Sequence, residues 1–154
     1  MTRAVDVAAH ILREQGPMTA MKLQKLVYYS QAWHLVWEEE PLFTDRIEAW
    51  ANGPVVPTLY QRHRQRWQLT GADDLGGDTT ALTEAQRRTV DVILEHYGSK
   101  PANWLSELTH RESPWRDARS AAGLSDGERG NAEITHASMY EYYDGLTSTD
   151  AQDI

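Results

Sequence analysis

The aromatic-rich stretch from Met21 to Pro57 constrains the fold more than any other part of the sequence. It reads MKLQKLVYYSQAWHLVWEEEPLFTDRIEAWANGPVVP, and it joins a helical pattern, a short strand-like run and a Gly-Pro turn. In its first half, apolar and aromatic residues recur every three or four positions and cover most of a helix circumference. The pattern predicts a central helix with neighbours on several sides, capped at its start by Thr19. The predicted buried stripe consists of Leu23, Leu26, Val27, Ser30, Trp33 and Trp37.

Length and composition favour a single domain. The 154 residues can enclose one ordinary core, and we expect this domain at residues 1–146, followed by a polar flexible tail at residues 147–154. The absence of cysteine excludes a disulfide framework, a thiolate metal site and a cysteine nucleophile. Apolar runs fall far short of the ~20 residues of a membrane helix, and the first residues lack the hydrophobic segment of a signal peptide. We therefore expect a cytoplasmic protein.

Periodicity and turn residues predict the remaining elements. Further helices are expected from Ala4 to Leu12, from Thr58 to about Gln68, after the capping box of Thr83 and Gln86, after Ser99 as N-cap, from Ser113 as N-cap to about Ala122, and after Thr135. Short strands are expected from Arg46 to Trp50 and around Ile134, and a flexible linker from Thr70 to Ala81. The predicted fold class is mainly α: a compact single-domain helical bundle around a central aromatic-rich helix, with a small β element.

Charge is distributed unevenly along the chain. The formal net charge is −8, and from Gly123 onwards seven acidic residues accompany a single basic residue, Arg129. Such a segment repels nucleic acid and is typical of a solubilising tail, or of an acidic surface that steers a basic protein partner. Arg62, Arg64 and Arg66 form a basic run, but without a recognition-helix pattern they indicate a solvated face. Composition thus argues against a nucleic-acid partner.

Residue patterns of catalysis or metal binding do not emerge from the sequence. The six histidines are dispersed at His10, His34, His63, His96, His110 and His136. None has the spacing of a metal ligand set, and no nucleophile with a matching base is identifiable. For His110, which lies near a proline and a tryptophan, structural hydrogen bonding is favoured over proton transfer. The three consecutive acids that begin at Glu38 indicate a solvated helix end. We therefore expect no enzyme, no cofactor and no metal.

Three strings in a fixed order resemble one known family. KLQKLVYYSQAWHLVW, followed by PLF, then IEAWANGPVVPTLY and later LTHRESPW, resemble the Panacea domain over at least Met21 to Trp115. The members of this family include the SocA-type proteolytic adaptor and many prokaryotic and phage-borne antitoxins. The resemblance implies a mostly helical antitoxin of a toxin-antitoxin system that binds its cognate protein toxin directly and in equal amount.

The resemblance leaves other roles open. One alternative is an adaptor that delivers the toxin to a AAA+ protease, and a second is an enzyme that reverses the toxin's modification of its target. The toxin is expected to be encoded by an adjacent gene. Since aromatic side chains supply large contact area at protein interfaces, two motif loops provide the predicted partner-binding residues. These residues are Trp50, Asn52, Tyr60, His110 and Trp115. Trp50 and Trp115 fit a core position as well as an interface position.

Overall fold

Helices make up most of the chain, as the sequence predicted. The computed structural model describes the backbone of residues 1–152 and the side chains of residues 1–147. Within them the α-helices are α1 (Ala4–Gln15), α2 (Ala20–Glu38), α3 (Pro57–His63), α4 (Glu84–Tyr97), α5 (Ala102–Arg111), α6 (Ser113–Ala121) and α7 (His136–Gln152). The strands are β1 (Met18–Thr19), β2 (Ile47–Trp50), β3 (Gly53–Val55), β4 (Gln68–Leu69) and β5 (Glu133–Ile134). The mainly α fold class with a small β element is confirmed.

Helix α2 lies at the centre and packs against α1, α4, α5 and α7. Thr19 caps it as predicted, because the Thr19 hydroxyl accepts a hydrogen bond from the backbone N–H of Lys22 at 3.2 Å. The prediction that Trp37 is buried is wrong, since its side chain is 43% exposed. Residues 37–40 are all exposed, so the last turn of α2 extends out of the core. The Trp37 ring stacks there on Trp33, with ring centroids 5.5 Å apart.

Two small antiparallel sheets flank this helix. Strands β3, β2 and β5 form the larger one in that spatial order. Along β2 the residues alternate between buried and half-buried, as the sequence predicted for Ile47 to Trp50. Trp50 pairs with Gly53 across a two-residue loop, where Gly53 takes a φ of +125° that favours glycine. Strands β1 and β4 pair separately and join the start of α2 to the chain beyond α3.

The segment between α3 and α4 departs from prediction. Helix α3 ends at His63 and not near Gln68, because the backbone leaves the helical region at Arg64, where ψ is 104°, and Gln65 then takes a φ of +108°. Trp67, which helical spacing from Leu59 and His63 places on the apolar side of the predicted helix, is instead 77% exposed.

The predicted flexible linker from Thr70 to Ala81 packs onto α1. It forms two 3₁₀ turns, Ala72–Asp74 and Thr79–Ala81. The Asp6 carboxylate accepts a hydrogen bond from the backbone N–H of Asp78 at 2.8 Å. Burial alone would raise the pKa of Asp6, but hydrogen bonds from the backbone N–H groups of Asp78 and Arg3 bring it below its ordinary value.

In the second half of the chain, the sequence predicted the start of α4 correctly and the starts of α5 and α6 only approximately. The capping box of Thr83 and Gln86 is confirmed. The predicted cap at Ser99 is wrong, because α5 begins after Pro101. At α6 the N-cap is Glu112 and not Ser113, one residue earlier than predicted, with a proline in the first turn.

A buried carboxylate ties α7 to the central helix. Glu112 accepts hydrogen bonds from the hydroxyl of Tyr29 at 2.6 Å and from the hydroxyl of Tyr143 at 2.8 Å. Burial raises the pKa of the Glu112 carboxyl, and the two hydroxyl donors partly oppose that effect.

The C-terminal tail, predicted to be flexible over residues 147–154, stays a prediction, because the structure describes no side chain beyond residue 147. No helix in the described part of the chain is long and apolar enough to cross a membrane.

Candidate functional site

A cavity of about 970 Å³ opens between the start of α2, the β2–β3 hairpin and the chain that follows α3. We call it the hairpin pocket. Its lining comprises Thr19, Ala20, Met21, Gln24, Lys25, Glu48, Trp50, Ala51, Asn52, Val55, Tyr60, His63, Arg64, Gln65, Arg66, Trp67, Arg129, Gly130 and Asn131. Three of the five predicted partner-binding residues, Trp50, Asn52 and Tyr60, thus line one pocket.

Aromatic rings form one wall of the hairpin pocket. The rings of Trp50 and Tyr60 meet edge to face with centroids 4.9 Å apart. The indole N–H of Trp50 donates to the Glu48 carboxylate at 2.9 Å, which fixes the orientation of that ring. At the rim lies the strongly exposed Trp67. Because the Trp50 ring is already held in place, it offers contact area at low entropic cost, and the exposed Trp67 adds aromatic area at the rim.

The other two predicted residues lie behind this wall. Trp115 is only 7% exposed, and its indole N–H donates to the main-chain oxygen of Trp50 at 2.8 Å. His110 packs against the Trp115 ring with centroids 4.0 Å apart. Burial lowers the pKa of His110, so its imidazole favours the neutral form. Of the two positions that the sequence left open for Trp115, the structure shows the core position, and both residues are placed to support the hairpin from inside.

Side chains from the helices hold the hairpin by its main chain. Besides Trp115, Ser106 donates to the carbonyl oxygen of Asn52 at 2.6 Å, and Arg119 donates to that of Ala49 at 3.0 Å. These partners come from α5 and α6, whose sequence signals gave no indication of such contacts. The position of the hairpin is therefore fixed through its backbone carbonyl oxygens and not through its own side chains.

Lys25 forms the floor of the hairpin pocket and was missed by the sequence analysis. Its side chain is only 2% exposed, and its ammonium group donates to the carbonyl oxygen of Pro54 at 3.3 Å. Burial lowers the pKa of the Lys25 amine to about 8. Space for this side chain depends on Gly53, because a Cβ at that position would lie 2.4 Å from the Lys25 Cε. The one available signal was a lysine that has Met21, Tyr28 and Tyr29 as neighbours at helical spacing.

Gln24 joins the hairpin to α3 and was also missed. Its side-chain oxygen accepts from the backbone N–H of Val56 at 2.9 Å. Its amide nitrogen lies 2.9 Å from Nε2 of His63, which accepts this hydrogen bond in its neutral form. Burial lowers the pKa of His63 and so favours that neutral form. Gln24 and His63 thus fix one side of the hairpin pocket.

The hairpin pocket is positively charged within an acidic chain. Its lining contains Lys25, Arg64, Arg66 and Arg129 against a single acid, Glu48. Glu48 is already engaged, since its carboxylate accepts from the Trp50 indole and from Arg46 at 2.8 Å. Among the described residues, no hydrogen bond or ion pair engages the side chain of Arg129. The electrostatic character of this pocket therefore opposes that of the whole chain, whose net charge is −8.

The hairpin pocket has the features of a surface that binds another molecule. Over the residues that the structure describes, no three side chains of metal-ligating type come together. The pocket is concave, its backbone is fixed, and its lining combines aromatic rings with an excess of cations. Such a surface can bind a group of side chains that matches it in shape and charge.

Comparison with known proteins identifies one family. A family model described as antitoxin SocA-like, Panacea domain, matches residues 23–116, which is more than half of the chain. The match includes most of α2 and all of the β2–β3 hairpin, α3, α4 and α5. Searches of curated proteins and of solved structures found no match.

Proposed function

Because the chain belongs to the antitoxin SocA-like, Panacea-domain family, we propose that it is an antitoxin that neutralises a cognate protein toxin by direct stoichiometric binding. The family match over residues 23–116 carries this proposal. Family membership favours a protein partner and a non-enzymatic role. We further propose that the toxin is the product of an adjacent gene and that the complex forms in the cytoplasm.

The hairpin pocket supports this proposal as the binding surface. Trp50, Asn52 and Tyr60 line it and are at least partly accessible. His110 and Trp115 act through the hairpin that they support. A toxin bound here would lose access to its own active or target-binding surface, without any covalent chemistry.

Co-expression with the adjacent reading frame tests the proposal. We expect the two products to co-purify in equal amounts and the toxin to stop growth only when it exceeds the antitoxin. Trp50→Ala or Tyr60→Ala should weaken the complex by about 30-fold, which corresponds to ~2 kcal/mol for an interface anchor. Trp37→Ala is the matched control, because it removes an exposed tryptophan far from the pocket lining. A folded Trp50→Ala, Tyr60→Ala double variant that binds like the parent would show that the interface lies elsewhere.

The same experiment separates the alternatives. An adaptor would lower the amount of toxin in a manner that depends on a AAA+ protease, whereas a masking antitoxin leaves an inactive complex. An enzyme that reverses the toxin's modification would restore growth at a small fraction of the toxin's amount. Binding to DNA that weakens steeply with salt would indicate a nucleic-acid role.

A further inference from the structure

The chemistry of the partner's contact segment follows from the charge of the hairpin pocket. Lys25 is a buried cation that lacks an anionic partner among the described residues, and its single hydrogen bond is a long one to a neutral carbonyl. A buried charge without a counter-ion is destabilising, and an arriving anion relieves that cost. In the same pocket lining, the Arg129 guanidinium makes no hydrogen bond or ion pair with the described residues, and Arg64 makes only a 3.4 Å contact with the neutral Gln61.

We propose that the hairpin pocket binds an acidic segment of the partner protein, with one carboxylate reaching Lys25 and further acidic side chains at Arg64 and Arg129. This proposal rests on the proposed function, since the acidic segment belongs to the toxin. It specifies the partner's surface chemistry, which family membership leaves open.

The dimensions and the wall of the pocket favour a polypeptide over a single ion. A volume of about 970 Å³ exceeds that of one carboxylate many times and accommodates several side chains. Trp50 and Tyr60 offer apolar contact to the stems of those side chains, and Asn52 offers an exposed amide at the mouth. Nucleic acid fits less well, because the rest of this acidic chain repels an extended polyanion.

Lysine NMR provides a direct test. The chain contains three lysines, Lys22, Lys25 and Lys100, so ¹³C-labelled lysine gives few signals to assign. The labelled chain is titrated with the purified product of the adjacent gene. We expect the Lys25 Cε signal to shift and its titration midpoint to move to higher pH in the complex, because a bound carboxylate favours the ammonium form. Lys100, outside the pocket lining, serves as the internal control.

Matched variants complete the test. Lys25→Met should weaken the complex by at least about 10-fold. Arg129→Gln should slow association severalfold at low salt, and the difference should disappear at high salt. Arg88→Gln removes another exposed arginine, on α4, and should leave the association and dissociation rates of the complex unchanged.

The outcomes separate this proposal from the proposed function. If the parent chain forms no complex, both are overturned. If a complex forms but folded Lys25→Met binds as tightly as the parent and the Lys25 signal does not move, only the acidic-segment proposal is overturned. Displacement of the partner by a short oligonucleotide, but not by a poly-glutamate peptide, would assign the pocket to phosphate and overturn it as well.

Discussion

Replacing Lys25 by methionine should stabilise the free protein while weakening its complex. Burial lowers the pKa of this amine from 10.5 to about 8, and each unit corresponds to about 1.4 kcal/mol, so the buried ammonium destabilises the fold by roughly 3 kcal/mol at pH 7. Methionine has a similar shape and no charge, but it leaves the Pro54 carbonyl without its donor, at a cost of about 1 kcal/mol. The expected net gain is roughly 2 kcal/mol.

The stability of the parent chain should rise with pH near and above neutrality. The folded pKa of Lys25 is lower than the unfolded one, so the unfolded chain binds more protons between pH 8 and 10.5. The parent should therefore gain about 2 kcal/mol of stability between pH 7 and 9.5, whereas Lys25→Met should gain much less. Above pH 10 the buried tyrosines reverse the trend, since burial raises the pKa of Tyr28 and Tyr29 and only the unfolded chain ionises them readily.

Urea unfolding followed by tryptophan fluorescence measures these differences at pH 7.0, 8.0, 9.0 and 9.5. Lys100→Met is the control, because it removes a surface lysine charge that lies over the Trp104 ring and retains Lys25. It should preserve the rise in stability with pH that the parent shows. A Lys25→Met variant that is less stable than the parent at pH 7, or that shows the same rise with pH, would refute the reasoning about the buried charge.

Three further predictions concern the surrounding structure. Gly53→Ala should destabilise the fold by roughly 2 kcal/mol, because its φ of +125° is strained for alanine and its Cβ would meet the Lys25 Cε. Thermal unfolding measures this, and a smaller effect in a Lys25→Ala background, which lacks the Cε atom, would locate the clash. Hydrogen bonds lower the pKa of Asp6 despite its burial, so the parent should lose stability below about pH 4 as this carboxylate becomes protonated. Asp6→Asn should lose less stability with acid, and urea midpoints at pH 3 and pH 6 provide the comparison. Tyr29→Phe should cost about 2 kcal/mol through loss of the hydrogen bond to buried Glu112, and an unchanged urea midpoint would contradict that role.

Local signals in the sequence were sufficient for most of the fold. The near-continuous apolar cover of α2 predicted its central position, and Thr19 and Thr83 predicted two helix starts. The predictions were wrong where contacts between distant parts of the chain determine burial or the end of a helix. Periodicity places Trp37 on the apolar stripe but cannot show that the last turn of α2 extends out of the core. Nothing in the sequence around Arg64 and Gln65 indicates the non-helical backbone that ends α3.

The candidate site was predicted only in part, for a related reason. Aromatic content pointed to Trp50 and Tyr60, which line the pocket together. Polar residues on a helix are normally expected to face solvent, so the sequence did not indicate Lys25 and Gln24, although both are buried at the pocket. Their importance depends on a glycine-containing hairpin about thirty residues away in sequence, which residue spacing within α2 does not reveal.

The manner in which the hairpin is held has a consequence for how such proteins diversify. Trp115, Ser106 and Arg119 hold the loop through its carbonyl oxygens, so the fold places few demands on the identity of the side chains at positions 50 and 52. Substitutions there can change which protein is recognised without first destabilising the domain. The same scaffold can thus acquire new partners by mutation of a few loop positions, in the way that antibody loops vary on a constant framework.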